Sequence, residues 1–319
     1  MSTAQQDIDE RTNLTNNNKF ELLLFRLGES KNSTQSELFG INVFKVREIL
    51  VMPTIVSTAD APPNLLGVAN IRGQIIPVID LAAAVGCKPR NGLQILLVTE
   101  YARTTQGFAV EEVDEIVRLE WSQVLSAEAS VAGGMVTSIA RLDGNVDNTR
   151  LAQVLDVEQI LRNVLPNSQP DVNPATIGPA VSLAPGKVIL AADDSVFART
   201  LIEGGLNAMN APFIMTKSGK EAWEMLESLS DKAIAEGKTV RDKVALVLTD
   251  LEMPEMDGFT LTRKIKKDDR FRKIPVVIHS SLSGTTNEDH VKSVGADAYV
   301  AKFVAEELAE TIRRVLARF

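Results

Sequence analysis

Five side chains in the second half of this 319-residue sequence could together perform phosphoryl chemistry: Asp193, Asp194, Asp250, Ser280 and Lys302. An aspartate carboxylate is a competent nucleophile toward phosphorus. Three carboxylates gathered in one pocket repel one another unless a cation joins them, and Mg2+, hard and oxygen-seeking, suits that place. A serine hydroxyl can donate to a phosphoryl oxygen, and a lysine ammonium can neutralise the charge there. Taken singly, each residue has a plain structural use. Asp-Asp-Ser before a helix caps it, Asp250 could close a turn, and Ser280 and Lys302 could be ordinary surface residues. The chemistry rests on their joint placement at strand ends.

Short apolar runs carry these residues. Lys187–Asp193, Phe213–Lys217, Val244–Asp250, Ile274–Ser280 and Ala298–Ala301 have the length and composition of buried parallel strands. Helix-length amphipathic stretches alternate with them: Ser195–Met209, Lys220–Leu229, Gly258–Lys267, Thr285–Val294 and Val304–Arg318. Strict alternation predicts an α/β fold with a doubly wound, five-stranded parallel sheet. Its crevice lies at the carboxyl ends of the strands, where the five residues fall. Leu229–Lys243 is longer and more charged than the pattern needs, as a solvated loop or a helix extension would be.

The first half reads as mainly β. Phe20–Leu27, Leu38–Ile41, Leu93–Thr99, Gly107–Val110 and Val113–Leu119 are strand-like, with glycine-rich turns between. Short helices are expected over Val43–Val51 and Leu81–Val85, with Val43, Val46 and Ile49 spaced as one helical face. Ile75–Leu81 is echoed by Arg150–Val157, which suggests two related β subdomains. Among residues 1–165 no histidine, acid–base pair or phosphate loop stands out, so a binding surface is the economical reading there.

Five prolines between Pro166 and Pro185 mark a semi-rigid linker. The expected boundaries are a disordered tail over 1–18, a first domain over 19–165, the linker over 166–185 and a second domain over 186–319. The chain carries 34 Lys+Arg against 42 Asp+Glu, a net charge of −8. Neither half has the basic excess that nucleic-acid binding needs. A single cysteine, Cys87, excludes an intrachain disulfide and suits a cytoplasmic setting. No apolar run approaches a membrane span, so direct insertion is not expected.

Three segments, Ala192–Ser195 (ADDS), Leu248–Gly258 (LTDLEMPEMDG) and Tyr299–Lys302 (YVAK), resemble the signatures of two-component response-regulator receivers. The resemblance implies that Asp250 accepts a phosphoryl group from a histidine kinase. It further implies that Asp194, Asp250 and the backbone carbonyl of Glu252 ligate Mg2+, with Asp193 assisting through water. Ser280 and Tyr299 match the family's switch hydroxyl and switch aromatic. One departure is Phe303, where receivers usually have proline after the lysine. A non-proline cis bond costs about 2.5–4 kcal/mol, so a trans bond and a displaced Lys302 loop are expected.

From about Phe20 to Leu165 the chain is similar to the coupling-protein domain of bacterial chemotaxis. The carrying segments are Leu38–Ile49, Ala61–Pro63, Leu66–Gly73 (LGVANIRG) and Ile76–Leu81 (IPVIDL). That resemblance implies paired SH3-like β-barrels linking the cytoplasmic tips of chemoreceptors to the histidine kinase. On the matching motif, Arg72, with Asn70 and Gly73, is the expected partner contact, the alternative being an arginine that braces its own turn against Asp80. Coupling domain, linker and receiver in this order resemble the CheV family of chemotaxis proteins. The expected function is a non-enzymatic coupling scaffold modulated by phosphorylation of Asp250 and recruited to membrane-associated receptor arrays. The alternative is a phosphate sink that drains the kinase.

Overall fold

The computed structural model describes residues 19–30, 33–101, 104–127, 134–143, 149–166, 175–280, 293–302 and 304–319. The tail expected over 1–18 lies outside them. The chain divides into two compact units, one built from Phe20–Leu119 and Gln123–Gln169, the other chiefly from Pro170–Phe319.

The first unit contains β1 (Phe20–Ser30), β2 (Ser33–Asn42), β3 (Val46–Val51), β4 (Leu65–Ile71), β5 (Gln74–Asp80), α1 (Leu81–Val85), β6 (Cys87–Lys88), β7 (Ile95–Tyr101), β8 (Thr104–Val110), β9 (Glu112–Leu119), β10 (Val124–Ser126), β11 (Val136–Arg141), β12 (Leu151–Leu155) and α2 (Val157–Val164). They form two sheets, β10-β11-β12-β2-β1-β6 with β9 also on β1, and β3-β7-β8-β5-β4. The echo in the sequence corresponds to a repeat in pairing. In one sheet β11–β12 is antiparallel, β12–β2 parallel, and β2–β1 and β1–β9 antiparallel. In the other, β4–β5, β5–β8, β8–β7 and β7–β3 follow the same order of senses.

Each repeat also ends the same way. Asp80 caps α1 by accepting from Ala83 N at 2.8 Å, and Asp156 caps α2 by accepting from Gln159 N at 2.9 Å. An Asp that accepts a backbone N–H three residues on satisfies an otherwise orphan donor and starts the helix. Phe25, Phe39 and Ile41 of one sheet, Ile79, Leu97 and Phe108 of the other, and Leu81 and Ile160 of the helices share one buried core.

The helix expected over Val43–Val51 is not formed. Only Val43–Lys45 makes a single 3-10 turn, and Val46–Val51 is strand, pairing Ile49 with Leu97. β-Branched side chains at 46, 49 and 51 favour the pleated surface, and the neighbouring β7 supplies the partner. The supposed helical face dissolves accordingly: Val46 is buried while Ile49 is exposed.

The second unit contains β13 (Val188–Ala192), α3 (Val196–Ala208), β14 (Phe213–Thr216), α4 (Gly219–Ala235), β15 (Val244–Thr249), α5 (Gly258–Lys267), β16 (Val276–Ser280), β17 (Ala298–Ala301) and α6 (Ala305–Leu316). All five strands are parallel, in the order β14-β13-β15-β16-β17. Successive side chains of the apolar runs face opposite layers. Ile189, Ala191, Leu246 and Leu248 pack with α3 and α6, whereas Leu190, Ala192 and Val247 pack with α4 and α5. That two-sided burial is why the strands read as unbroken hydrophobic runs rather than alternating ones. Of the two readings for Leu229–Lys243, the helix extension holds as far as Ala235, with Leu229, Ser230 and Ala233 buried. The helix expected over Thr285–Val294 falls almost wholly outside the described residues.

Residues 175–185, assigned from their prolines to the linker, lie against helices of the second unit. Ile177 is fully buried with Ile202 and Leu206 of α3 and Ile312 and Val315 of α6, and Val181 and Leu183 pack on the same cluster. Arg313 of α6 donates to the carbonyls of Ile177 at 2.8 Å and Pro179 at 3.1 Å. Val181 N donates to Met209 O at 2.8 Å, and the Thr176 hydroxyl donates to Glu306 in the first turn of α6. Truncating Ile177 to alanine is expected to remove about 2–5 kcal/mol of the second unit's stability, the usual range for a buried aliphatic. Urea denaturation of the full chain reads this as an earlier transition of that unit, and an unchanged midpoint contradicts it.

Candidate functional site

Strand ends build the pocket. β13 stops at Ala192, and the next two residues are Asp193 and Asp194. Asp193 Oδ1 accepts from Ser195 N at 3.0 Å, and Ser195 in turn caps α3 by accepting from Ala198 N at 3.3 Å. Asp250 follows β15 directly, and its N–H donates to Ala192 O at 2.9 Å, so the sheet pairing runs up to the pocket floor. Its Oδ1 accepts from Leu251 N at 2.7 Å. Lys302 follows β17, with its N–H donating to Ser280 O at 2.9 Å.

The side chains converge as the sequence implies. Ligand atoms of Asp193, Asp194 and Asp250 lie within 4.8 Å of one another. Lys302 Nζ sits 2.8 Å from Asp193 Oδ2 and 2.9 Å from Asp250 Oδ2, and is almost fully buried. Lys302 thus lies in the pocket, and Phe303, on which the expected displacement of the Lys302 loop turns, lies outside the described residues. Three carboxylates against one ammonium leave two formal negative charges. An all-oxygen donor set of that charge fits a hard divalent cation such as Mg2+.

A tight turn follows Asp250. Asp257 caps α5 by accepting from Thr260 N at 2.9 Å, and Gly258 N donates back to Leu251 O at 2.9 Å. A Cβ at Gly258 would lie 2.0 Å from Asp250 O, so only glycine lets the start of α5 approach the Asp250 backbone. Glu252 is half-buried in the same turn. Ser280 is fully buried at the end of β16, and Tyr299 packs half-exposed with Leu251, Phe259 and Ile278.

Arg72 lies in the other unit, at the tip of the β4–β5 hairpin, where Ile71 pairs with Gln74. Both Arg72 (φ 52°) and Gly73 (φ 88°) are left-handed, as a two-residue type I′ turn requires. Gly73 N donates to Asn70 Oδ1 at 2.8 Å. Arg72 pairs through Nε and Nη2 with Glu48 Oε2 of β3, at 3.2 and 2.9 Å. The alternative brace against Asp80 is not formed, because Asp80 is the cap of α1. At 76% side-chain exposure the guanidinium keeps most of its surface open to a partner.

Arg199 is a residue of the site that the motif reading passed over. It stands four residues after Ser195, one turn into α3, and its Nη1 donates to the carbonyls of both Asp193 and Asp194 at 2.8 Å. The spacing Asp-Asp-Ser-x-x-x-Arg was the available signal.

The chain therefore combines a two-sheet β unit with a five-stranded parallel sheet that carries an acidic crevice. Residues 21–165 match the CheW-like domain family and residues 189–313 the response regulator receiver domain family. Three proteins of Helicobacter pylori (strain ATCC 700392 / 26695) are similar over almost the whole chain. Chemotaxis protein CheV3 is 30% identical over 302 residues, 93% of this chain and 95% of its own. Chemotaxis protein CheV2 is 28% identical over 98% and 99% of the two chains, and Chemotaxis protein CheV1 28% over 99% of each. The chain belongs to the CheV family of chemotaxis proteins.

Two glycines give opposite expectations. Gly258→Ala forces a Cβ into the Asp250 carbonyl, and overpacking of this kind costs about 1–3 kcal/mol. Gly205→Ala, inside α3 with nothing within 4 Å of its Cβ, should stabilise by about 0.4–1 kcal/mol. Denaturation midpoints moving in opposite directions check both.

Proposed function

We propose that this chain couples chemoreceptors to the chemotaxis histidine kinase through its CheW-like domain, and that phosphorylation of Asp250 in its receiver modulates that coupling. The observation that carries this reading is Lys302, buried between Asp193 and Asp250 beside Asp194. A buried lysine with two carboxylates and a divalent-cation site is the apparatus of an acyl-phosphate acceptor. Asp194, Asp250 and the backbone carbonyl of Glu252 are the proposed Mg2+ ligands, with Asp193 assisting through water. When bound, Mg2+ supplies charge neutralisation at the phosphoryl oxygens.

The chain's own groups do the rest. An Asp250 carboxylate oxygen attacks the phosphorus of the kinase phosphohistidine. The O–P bond forms as the P–N bond breaks, and the departing imidazole takes up a proton. Lys302, already 2.9 Å from Asp250 Oδ2, pairs with the arriving phosphoryl oxygens. Ser280, at the end of the adjacent strand, donates its hydroxyl to one of them, and Tyr299 follows the rearrangement. Asn70, Arg72 and Gly73 form part of the partner surface, with the Arg72 guanidinium addressing a carboxylate on the kinase or a receptor tip. The working place on this reading is the cytoplasmic side of receptor arrays.

The test uses reconstituted arrays of receptor, kinase and this chain, without any other receiver. Kinase control in arrays carrying Asp250→Ala should differ from wild type once the kinase is phosphorylated. Identical receptor control in both, with phosphoryl groups merely consumed by the wild type, makes the protein a phosphate sink instead. Arg72→Ala should weaken array incorporation while phosphorylation of Asp250 persists.

A further inference from the structure

We propose that Arg199 is a positioning residue of the phospho-acceptor pocket, holding the Asp193–Asp194 backbone so that the three carboxylates converge. The proposal rests on the reading of that pocket as a divalent-cation site. Two successive carbonyl oxygens, those of Asp193 and Asp194, both lie 2.8 Å from the one Nη1 nitrogen. Carbonyl dipoles turned to a common point repel each other, and a cationic donor between them offsets that repulsion. The guanidinium thus fixes the peptide joining the two aspartates. Rotation of that peptide turns the Asp194 side chain relative to Asp193 and Asp250.

Other features of the helix suit Arg199 to this task. Its backbone N–H donates to Ser195 O at 3.0 Å, within the first turn of α3. The same turn is anchored by Ser195, whose own N–H is held by Asp193 Oδ1 at 3.0 Å. Helix start, aspartate pair and guanidinium therefore close on one another through four hydrogen bonds. Arg199 is half-buried, which strengthens its charge-assisted bonds relative to an exposed arginine. Its guanidinium bonds go to the carbonyls of Asp193 and Asp194, so it works on the ligands through their backbone.

Isothermal titration of the full chain with Mg2+ tests this in wild type, Arg199→Met and Arg199→Lys, with the metal-free unfolding midpoint measured alongside. Arg199→Met should weaken Mg2+ binding about tenfold or more, the range for losing an outer hydrogen-bond partner of a ligand. Arg199→Lys, which keeps charge and donors, should recover most of the affinity. A lowered midpoint in Arg199→Met with wild-type Mg2+ affinity makes the residue a structural brace and overturns the proposal. If Arg199→Met does not fold, Arg199→Gln carries the comparison, and wild-type affinity there has the same meaning. Wild type that binds no Mg2+ sinks the cation-site reading, and this proposal with it. Wild type that binds while Arg199→Met binds equally well sinks this proposal alone.

Discussion

A lysine ammonium withdrawn from water between Asp193 and Asp250 is the interaction on which the receiver's organisation depends. Breaking a buried pair by removing one partner costs about 3–5 kcal/mol, because the survivor is left charged and unpaired. The fold answers that constraint with backbone bonds that carry sheet pairing past the strand ends. Asp193 N donates to Thr216 O, Asp250 N to Ala192 O and Lys302 N to Ser280 O. These bonds reach all five strands at the level where the side chains of Asp193, Asp250 and Lys302 meet. Lys302 compensates only part of the acid charge, and what remains is the attraction for a divalent ion.

The CheW-like unit is organised by different means. Two sheets of matching pairing order each place a parallel strand before an aspartate cap and a helix, and both contribute to one core. No acidic cluster of the receiver kind occurs among its described residues. Its most specific exposed feature is a turn whose left-handed residues set Arg72 at a hairpin tip. The Arg72–Glu48 pair is largely exposed on the arginine side, and such pairs contribute about 0–1 kcal/mol. It therefore orients the guanidinium more than it stabilises the fold.

Much of the receiver was legible because its determinants are local. Apolar runs of strand length, each ending on a chemically distinct residue, encode both sheet and pocket, and Asp193, Asp194, Asp250 and Lys302 converge accordingly. Legibility failed where a distant partner decides. Val46–Val51 has helix-compatible spacing but pairs with Ile95–Tyr101, almost 50 residues on. Proline content marked residues 166–185 as a linker, yet Ile177 is buried by α3 and α6, which no spacing rule anticipates. The β16–β17 pairing at Ser280 sets the position of Lys302, while Phe303, the residue that suggested a displaced loop, lies outside the described residues. Arg199 is legible only as a spacing, Asp-Asp-Ser-x-x-x-Arg, because its contacts are to the backbone carbonyls of Asp193 and Asp194 rather than to side chains.

The central claim is that Asp250 is a metal-dependent phospho-acceptor. Intact-mass measurement of the full chain after exposure to the phosphorylated kinase, with Mg2+ and with chelator, tests it most directly, using Asp250→Ala as the control. The structure predicts one added phosphoryl group, labile to base, on wild type with Mg2+ only. A wild-type chain that gains nothing under either condition, or an Asp250→Ala chain that gains the same group, contradicts the account.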